Sequence, residues 1–291
     1  MKPFLALASS DARVSGTASI QNGATLPPAI VYPRPGSGKT LGITLTTIAV
    51  LLFAWGFVTA QNWIAPLFLP SPVAVWKAAL QAWRGNGQGG LPLLQHVEWS
   101  LLRVFGAFLL AAVTAVPVGL AMGVSRVARG VFDPVLEFYR PLPPLAYLPL
   151  IVIWFGIDET AKILLIYLAC FAPIALATRA GVTTVPTEQI HAALSIGANR
   201  WQLIWHVMLP AALPEILVGL RIAIGFGWTT LVAAEMVAAT AGIGQLVLNA
   251  SNFLRTDIVV MGIVVIGLIA YLFDLFMRRL ERLLVPWKQF R

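Results

Sequence analysis

Val104-Phe-Gly-Ala-Phe-Leu-Leu-Ala-Ala-Val-Thr-Ala-Val-Pro-Val-Gly-Leu-Ala-Met-Gly-Val-Ser125 runs for 22 residues without an Asp, Glu, Lys or Arg. About 20 helical residues cross the hydrocarbon core of a bilayer, so this stretch is long enough to span one unaided. Leu41–Gln61 reads the same way. Four shorter charge-free runs follow: Pro141–Ile157, Ile163–Thr178, Ile222–Ala234 and Ile258–Phe273. Each reaches spanning length by taking in a flanking charge, Arg140, Lys162, Arg221 or Asp274, which can snorkel or face protein. The expectation is an all-α, polytopic membrane protein with about six transmembrane helices.

Composition points the same way. Hydrophobic residues make up 58% of the 291 and charged residues 11%, against roughly a quarter charged in a soluble domain. A net charge of +8 would direct attention to nucleic acid in a soluble chain, but here it reports orientation. With six spans and a cytoplasmic N-terminus, the outer side keeps only Lys77, Arg84, Arg103, Lys162 and Arg255. The other basic residues fall inside, as the positive-inside rule requires. Both termini are therefore expected in the cytoplasm, and no nucleic-acid partner is expected. Cys170 is the one cysteine, so neither a disulfide framework nor a cysteine metal site can form within the chain.

Residues 1–40 are rich in Ser, Ala, Gly, Thr and Pro without periodicity and read as a flexible cytoplasmic tail. Met1–Ser10 has too short an apolar core for a signal peptide. Residues 41–291 form the transmembrane domain. After the first span, Phe68-Leu-Pro-Ser-Pro72 breaks the helix, and Val73–Trp83 reads as an amphipathic segment with Trp76 and Trp83 at headgroup depth. Gly119 and Gly123 make a small-residue face for close helix approach. Arg129, Asp133, Glu137 and Arg140 recur at helical spacing as a charged face. Gly242–Asn252 is too polar and too broken by glycine for a span and is placed outside.

No catalytic or metal motif emerges. Gly36-Ser-Gly-Lys39-Thr40 resembles the end of a phosphate-binding loop, but Pro33 occupies the position of the required first glycine and no apolar strand precedes it. His96, His191 and His206 are too scattered for a metal motif. Nor is there a nucleophile elbow or a paired-carboxylate motif.

The informative segment is the polar loop 180–210, between the fourth and fifth spans. Pro186 and Thr187 suit a helix start, Gly197 a helix end with positive φ, and Asn199 the cap of a second helix. Ala192, Ala193 and Gly197 let another protein approach the backbone closely, and Pro210 marks re-entry to the bilayer. This loop resembles the Glu-Ala-Ala loop of ABC importer permeases, in which Glu-Ala-Ala is followed after three residues by Gly and after nine more by Ile-x-Leu-Pro. Ala192, Ala193, Gly197, Leu209 and Pro210 stand at those intervals. His191 replaces the Glu and Val207 the Ile.

The resemblance runs from the first span to the C-terminus and narrows to the nitrate, sulfonate and taurine branch of these permeases. It is carried by Ala65–Pro70, Tyr139–Leu150, Val152–Ile157, Glu159-Thr160, Lys162–Ala169, Ala212–Leu217 and Thr230–Glu235. It implies a type I ABC importer permease fold, in a bacterial inner membrane and without enzymatic activity of its own. Its implied partners are a second permease chain in a homodimer, cytoplasmic ATPase subunits that bind ATP and Mg, and a periplasmic solute-binding protein. The implied cargo is taurine or a related sulfonate, with nitrate or another small anion as the alternative; an ion-driven carrier or an intramembrane enzyme fits less well. His191, Ala192, Ala193, Gly197, Ala198, Leu209 and Pro210 are the residues expected to couple to the ATPase. Ionisable groups and freed carbonyls within spans mark a path by default, which nominates Arg140, Pro144, Glu215 and Glu235.

Overall fold

The computed structural model describes residues 41–85 and 91–286, and every regular element among them is helical. The tail expected over 1–40, with Gly36–Thr40, lies outside the described residues. Eleven α-helices follow in order: α1 Leu41–Ala60, α2 Pro72–Trp83, α3 Leu93–Val124, α4 Arg126–Tyr139, α5 Pro144–Phe155, α6 Glu159–Thr183, α7 Thr187–Ser195, α8 Arg200–Leu203, α9 Leu209–Ala238, α10 Ile243–Asn252 and α11 Thr256–Leu284. A π-turn over Ile204–Met208 joins α8 to α9. The packed unit begins at Ala49.

Among the described residues, five helices are long and apolar enough to cross a membrane: α1, α3, α6, the continuous run Arg200–Val237, and α11. The crossing expected over Pro141–Ile157 is shorter than the sequence implied. Its helix α5 has 12 residues, about 18 Å at the α-helical rise, against a hydrocarbon core of about 30 Å. Prolines set its start, because Pro143 is extended at the N-cap and Pro144 opens the first turn, and Gly156 at φ 79° ends it.

The centre of the bundle is α6, flanked by α3 and α9. Arg103 of α3 meets Glu159 of α6, and farther along Gly119 meets Thr178, so these two helices run parallel. A Cβ on Gly119 would stand 2.5 Å from the Ala175 carbonyl oxygen and 2.6 Å from Thr178 Cβ, which is why a small residue is needed there. The α9 helix runs antiparallel to α6, with Gly219 against Ala177 and the Cys170 thiol donating to the Ala223 carbonyl at 3.4 Å. Val104, Ala111, Ile166, Ile174, Ala223 and Leu231 close the core between them.

The smaller helices follow the sequence reading with one refinement. Ser71 caps α2, whose Val75, Ala78 and Ala82 are buried while Trp76 and Trp83 are exposed. Asp133 on α4 forms an ion pair with Arg179 of α6. Gly242–Asn252 is not loose: from Ile243 it forms α10, with Ile243, Gly244, Leu246 and Ala250 buried. Its glycines fit because Gly242 has φ 136° and Gly244 packs on the Val232 carbonyl.

Candidate coupling loop and translocation path

The loop between α6 and α9 is assembled from backbone caps. Pro186 stands extended before α7, and Gly197 ends it at φ 87°. The Gly197 amide donates to the Leu194 carbonyl and the Ala198 amide to the Ala193 carbonyl, each at 3.0 Å. That pair of bonds is a Schellman closure, which needs a left-handed residue at Gly197. Asn199 then opens α8 with a reciprocal capping box: Asn199 Oδ1 accepts from the Gln202 amide and Gln202 Oε1 from the Asn199 amide, both at 2.8 Å. The π-turn follows because Pro210 has no N–H to return to residue 206; the Leu209 amide reaches back to the Ile204 carbonyl instead.

This loop turns apolar side chains outward. Ala193 is buried and anchors α7, whereas Leu194, Ile196, Trp201 and Trp205 are exposed, Ile196 by 85% and Trp201 by 71%. His191 and Ala192 are exposed, Leu209 and Pro210 half-buried. An open groove of about 340 Å³ is lined by Ile196, Gly197, Ala198, Gln202 and His206, and a Cβ on Gly197 would meet nothing within 4 Å. Exposed aromatic and aliphatic side chains thus surround a groove floored by small residues.

A cavity of about 630 Å³ lies along α6 from Leu168 to Ala180, the half leading to this loop. The α4–α5 turn closes one side with Arg140, Pro143 and Pro144, Tyr147 lines it from α5, and Ile222 and Phe226 line it from α9. Of the four path candidates, the cavity brings together Arg140 and Pro144. Glu215 is exposed beside Gly181, away from the lining.

Glu235 lies elsewhere, in a buried knot at the opposite end of the bundle. Its side chain is 0% exposed. It accepts from the Ser100 hydroxyl at 2.8 Å, from Arg103 Nη1 at 2.8 Å and from the Gly244 amide at 2.9 Å. Arg103 also donates to the Ala241 carbonyl at 2.6 Å and holds Glu159 bidentately at 2.6 and 2.8 Å. Lys162 Nζ donates to Glu159 at 2.7 Å. The Ile243 amide donates to Ser100 Oγ at 2.9 Å, and His96 Nδ1 lies 2.9 Å from the Gly242 carbonyl oxygen. Two cations and two carboxylates thus neutralise one another where lipid and protein would leave a lone charge unsolvated.

The sequence reading counted Arg103 and Lys162 among the charges of the outer side, Lys162 as a flank taken into its span; both are within α3 and α6 and buried. A signal for α3 was present: His96, Ser100 and Arg103 recur at spacings of four and three, one polar stripe on the buried face of the helix.

Comparison with known proteins decides the family. The model of the binding-protein-dependent transport system inner membrane component matches residues 115–285, more than half of the chain. The chain belongs to this family. It is a membrane transport component rather than an enzyme, and permeases of this kind work with ATPase and solute-binding partners. The permease is 53% identical over 249 residues to the taurine transport system permease protein TauC of Escherichia coli, covering 86% of this chain and 90% of the relative. It is 37% identical to the putative aliphatic sulfonates transport permease protein SsuC of Escherichia coli, covering 81% and 88%. With the nitrate import permease protein NrtB of Synechocystis it shares 32%, covering 83% and 88%. The inward-facing MetNI methionine ABC transporter has the same fold, with a TM-score of 0.57 at 20% identity over 66% of this chain and 95% of that one.

Proposed function

We propose that this permease conducts taurine or a closely related aliphatic sulfonate across a bacterial inner membrane. Two copies pair, an ATPase subunit docks on the α7–α8 loop of each, and a solute-binding protein delivers cargo at the end that carries the charge knot. Both termini then lie in the cytoplasm. The loop geometry carries the reading. Ala192, Ala193, Gly197 and Ala198 form a capped, rigid elbow with apolar side chains turned outward, and α9 rises from it as one continuous helix through the π-turn. A push on the loop therefore reaches the core directly.

The substrate assignment rests on the 53% identity to the taurine permease. The path runs past the α6 cavity, where Arg140 supplies positive charge toward an anionic sulfonate and Pro144 shapes the wall. Glu215, beside Gly181 and outside the cavity lining, is the path candidate nearer the loop. Glu235, held by its buried partners, shapes the path from a distance and does not touch the cargo. The test is uptake of labelled taurine by vesicles carrying the permease with its ATPase and binding protein. Uptake should require ATP and be competed by aliphatic sulfonates more strongly than by nitrate. ATP-dependent uptake competed by nitrate alone would replace the substrate, and uptake without ATP would refute the mechanism.

A further inference from the structure

Between the parallel helices α3 and α6 the chain must return from the loop end to the knot end, and it does so in two pieces. Near the loop, Asp133 of α4 pairs with Arg179 of α6; toward the knot, Leu148 and Ile151 of α5 pack with Ala161 and Leu165. The break between the pieces, residues 140–143, falls part-way along α6, against the cavity. Two charges stand there unmatched. Glu137, in the last turn of α4, and Arg140, at its C-cap, both line the cavity and are exposed. Neither side chain has a hydrogen bond or ion pair among the described residues. The cavity's other cation, Arg179, is already held by Asp133. In the knot the charges neutralise one another, whereas here one cation and one carboxylate are left over alongside a membrane-spanning helix, where unmatched charge is costly. They suit a ligand that carries both signs.

We propose that this cavity is a cargo station that reads both ends of a zwitterionic aminosulfonate, the Arg140 guanidinium taking the sulfonate and the Glu137 carboxylate the ammonium. The permease then selects for the amino group as well as for the sulfonate. Residues three apart on a helix have Cβ atoms about 5–6 Å apart, so the two charges sit a short molecule's length from one another. Taurine, with two methylenes between ammonium and sulfonate, is such a molecule. The guanidinium fork suits an oxyanion with several oxygens. Tyr147 and Phe226 line the same cavity and add aromatic surface for an organic ammonium. A plain alkanesulfonate could satisfy Arg140 but would leave Glu137 without a partner, and a site built for a polar group rejects the analogue that lacks it.

This inference rests on the permease reading above and narrows its substrate. Its test is equilibrium binding of labelled taurine to the purified permease–ATPase complex without the binding protein, so that only the permease's own selectivity is read. Taurine should bind saturably, and ethanesulfonate should displace it about tenfold less well than unlabelled taurine does. In Glu137→Gln that preference should vanish; in Arg140→Gln both ligands should be lost. Equal displacement by the two ligands in wild type, an unchanged preference in Glu137→Gln, or no saturable binding overturns the cargo station. So does loss of the assembled complex on Glu137→Gln, which would make that residue a structural contact. Where wild-type vesicles still take up taurine with ATP, such a failure leaves the permease reading standing. Uptake that needs no ATP overturns that reading, and the inference with it.

Discussion

The two ends of the bundle are fastened by opposite means. At one end, side-chain charges from α3, α6 and α9 meet in the interior, and Glu235 also accepts from the Gly244 amide at the start of α10. At the other, the α7–α8 elbow is shaped by backbone caps and turns Ile196, Trp201 and Trp205 outward. Buried charge is intolerant, because losing one member strands the others in a medium that cannot solvate them. Capped backbone with exposed apolar side chains is complete in itself and still has a surface to give to a partner. Perturbing the knot end should therefore register in assembly, and perturbing the loop end in coupling.

The largest effect should come from Glu235→Ala, which leaves Arg103 half-compensated and the Gly244 amide without its carboxylate acceptor. A loss of about 3–5 kcal/mol is expected, seen as a collapse in the amount of complex in the membrane. Wild-type amounts with impaired uptake would instead move Glu235 to the path. Gly242→Ala should come next, since φ 136° and the Glu235 carboxylate both oppose a Cβ there. A cost of about 1–3 kcal/mol should lower the thermal midpoint of the purified complex. Gly197→Leu strains only the loop, by about 1–2 kcal/mol at its positive φ. The chain should insert and assemble while uptake per ATP falls sharply; unchanged uptake would break the contrast between the ends. Smallest in stability is Trp201→Ser, within about 0.5 kcal/mol because the side chain is exposed. Co-purification of the ATPase should nevertheless weaken.

Much of this contrast was legible in sequence because its causes are local. Gly197 and Asn199 announce their turns by residue type, and the apolar runs announce their helices. The length of α5 was not legible, since Pro143 and Gly156 trim a run whose hydropathy alone reads as a span. The knot was missed for a different reason. A charge count treats Arg103 as a residue outside the membrane, and only tertiary structure supplies Glu235, 132 residues away along the chain, to hold it inside. Glu235 was singled out for its buried charge, but its partners lie on helices whose pairing no local pattern encodes.

If ATP hydrolysis enters the permease at the elbow, the ATPase subunit must sit within reach of Ala192. Single cysteines in place of Ala192 and of Trp83, each in a complex with Cys170 replaced, allow a direct reading by cross-linking in inner-membrane vesicles. Cysteine at 192 should cross-link to the ATPase subunit, with a yield that changes on adding ATP, and cysteine at 83 should give no such product. ATP-driven uptake by a complex that cross-links from position 83 and never from position 192 would contradict the assignment of the two ends.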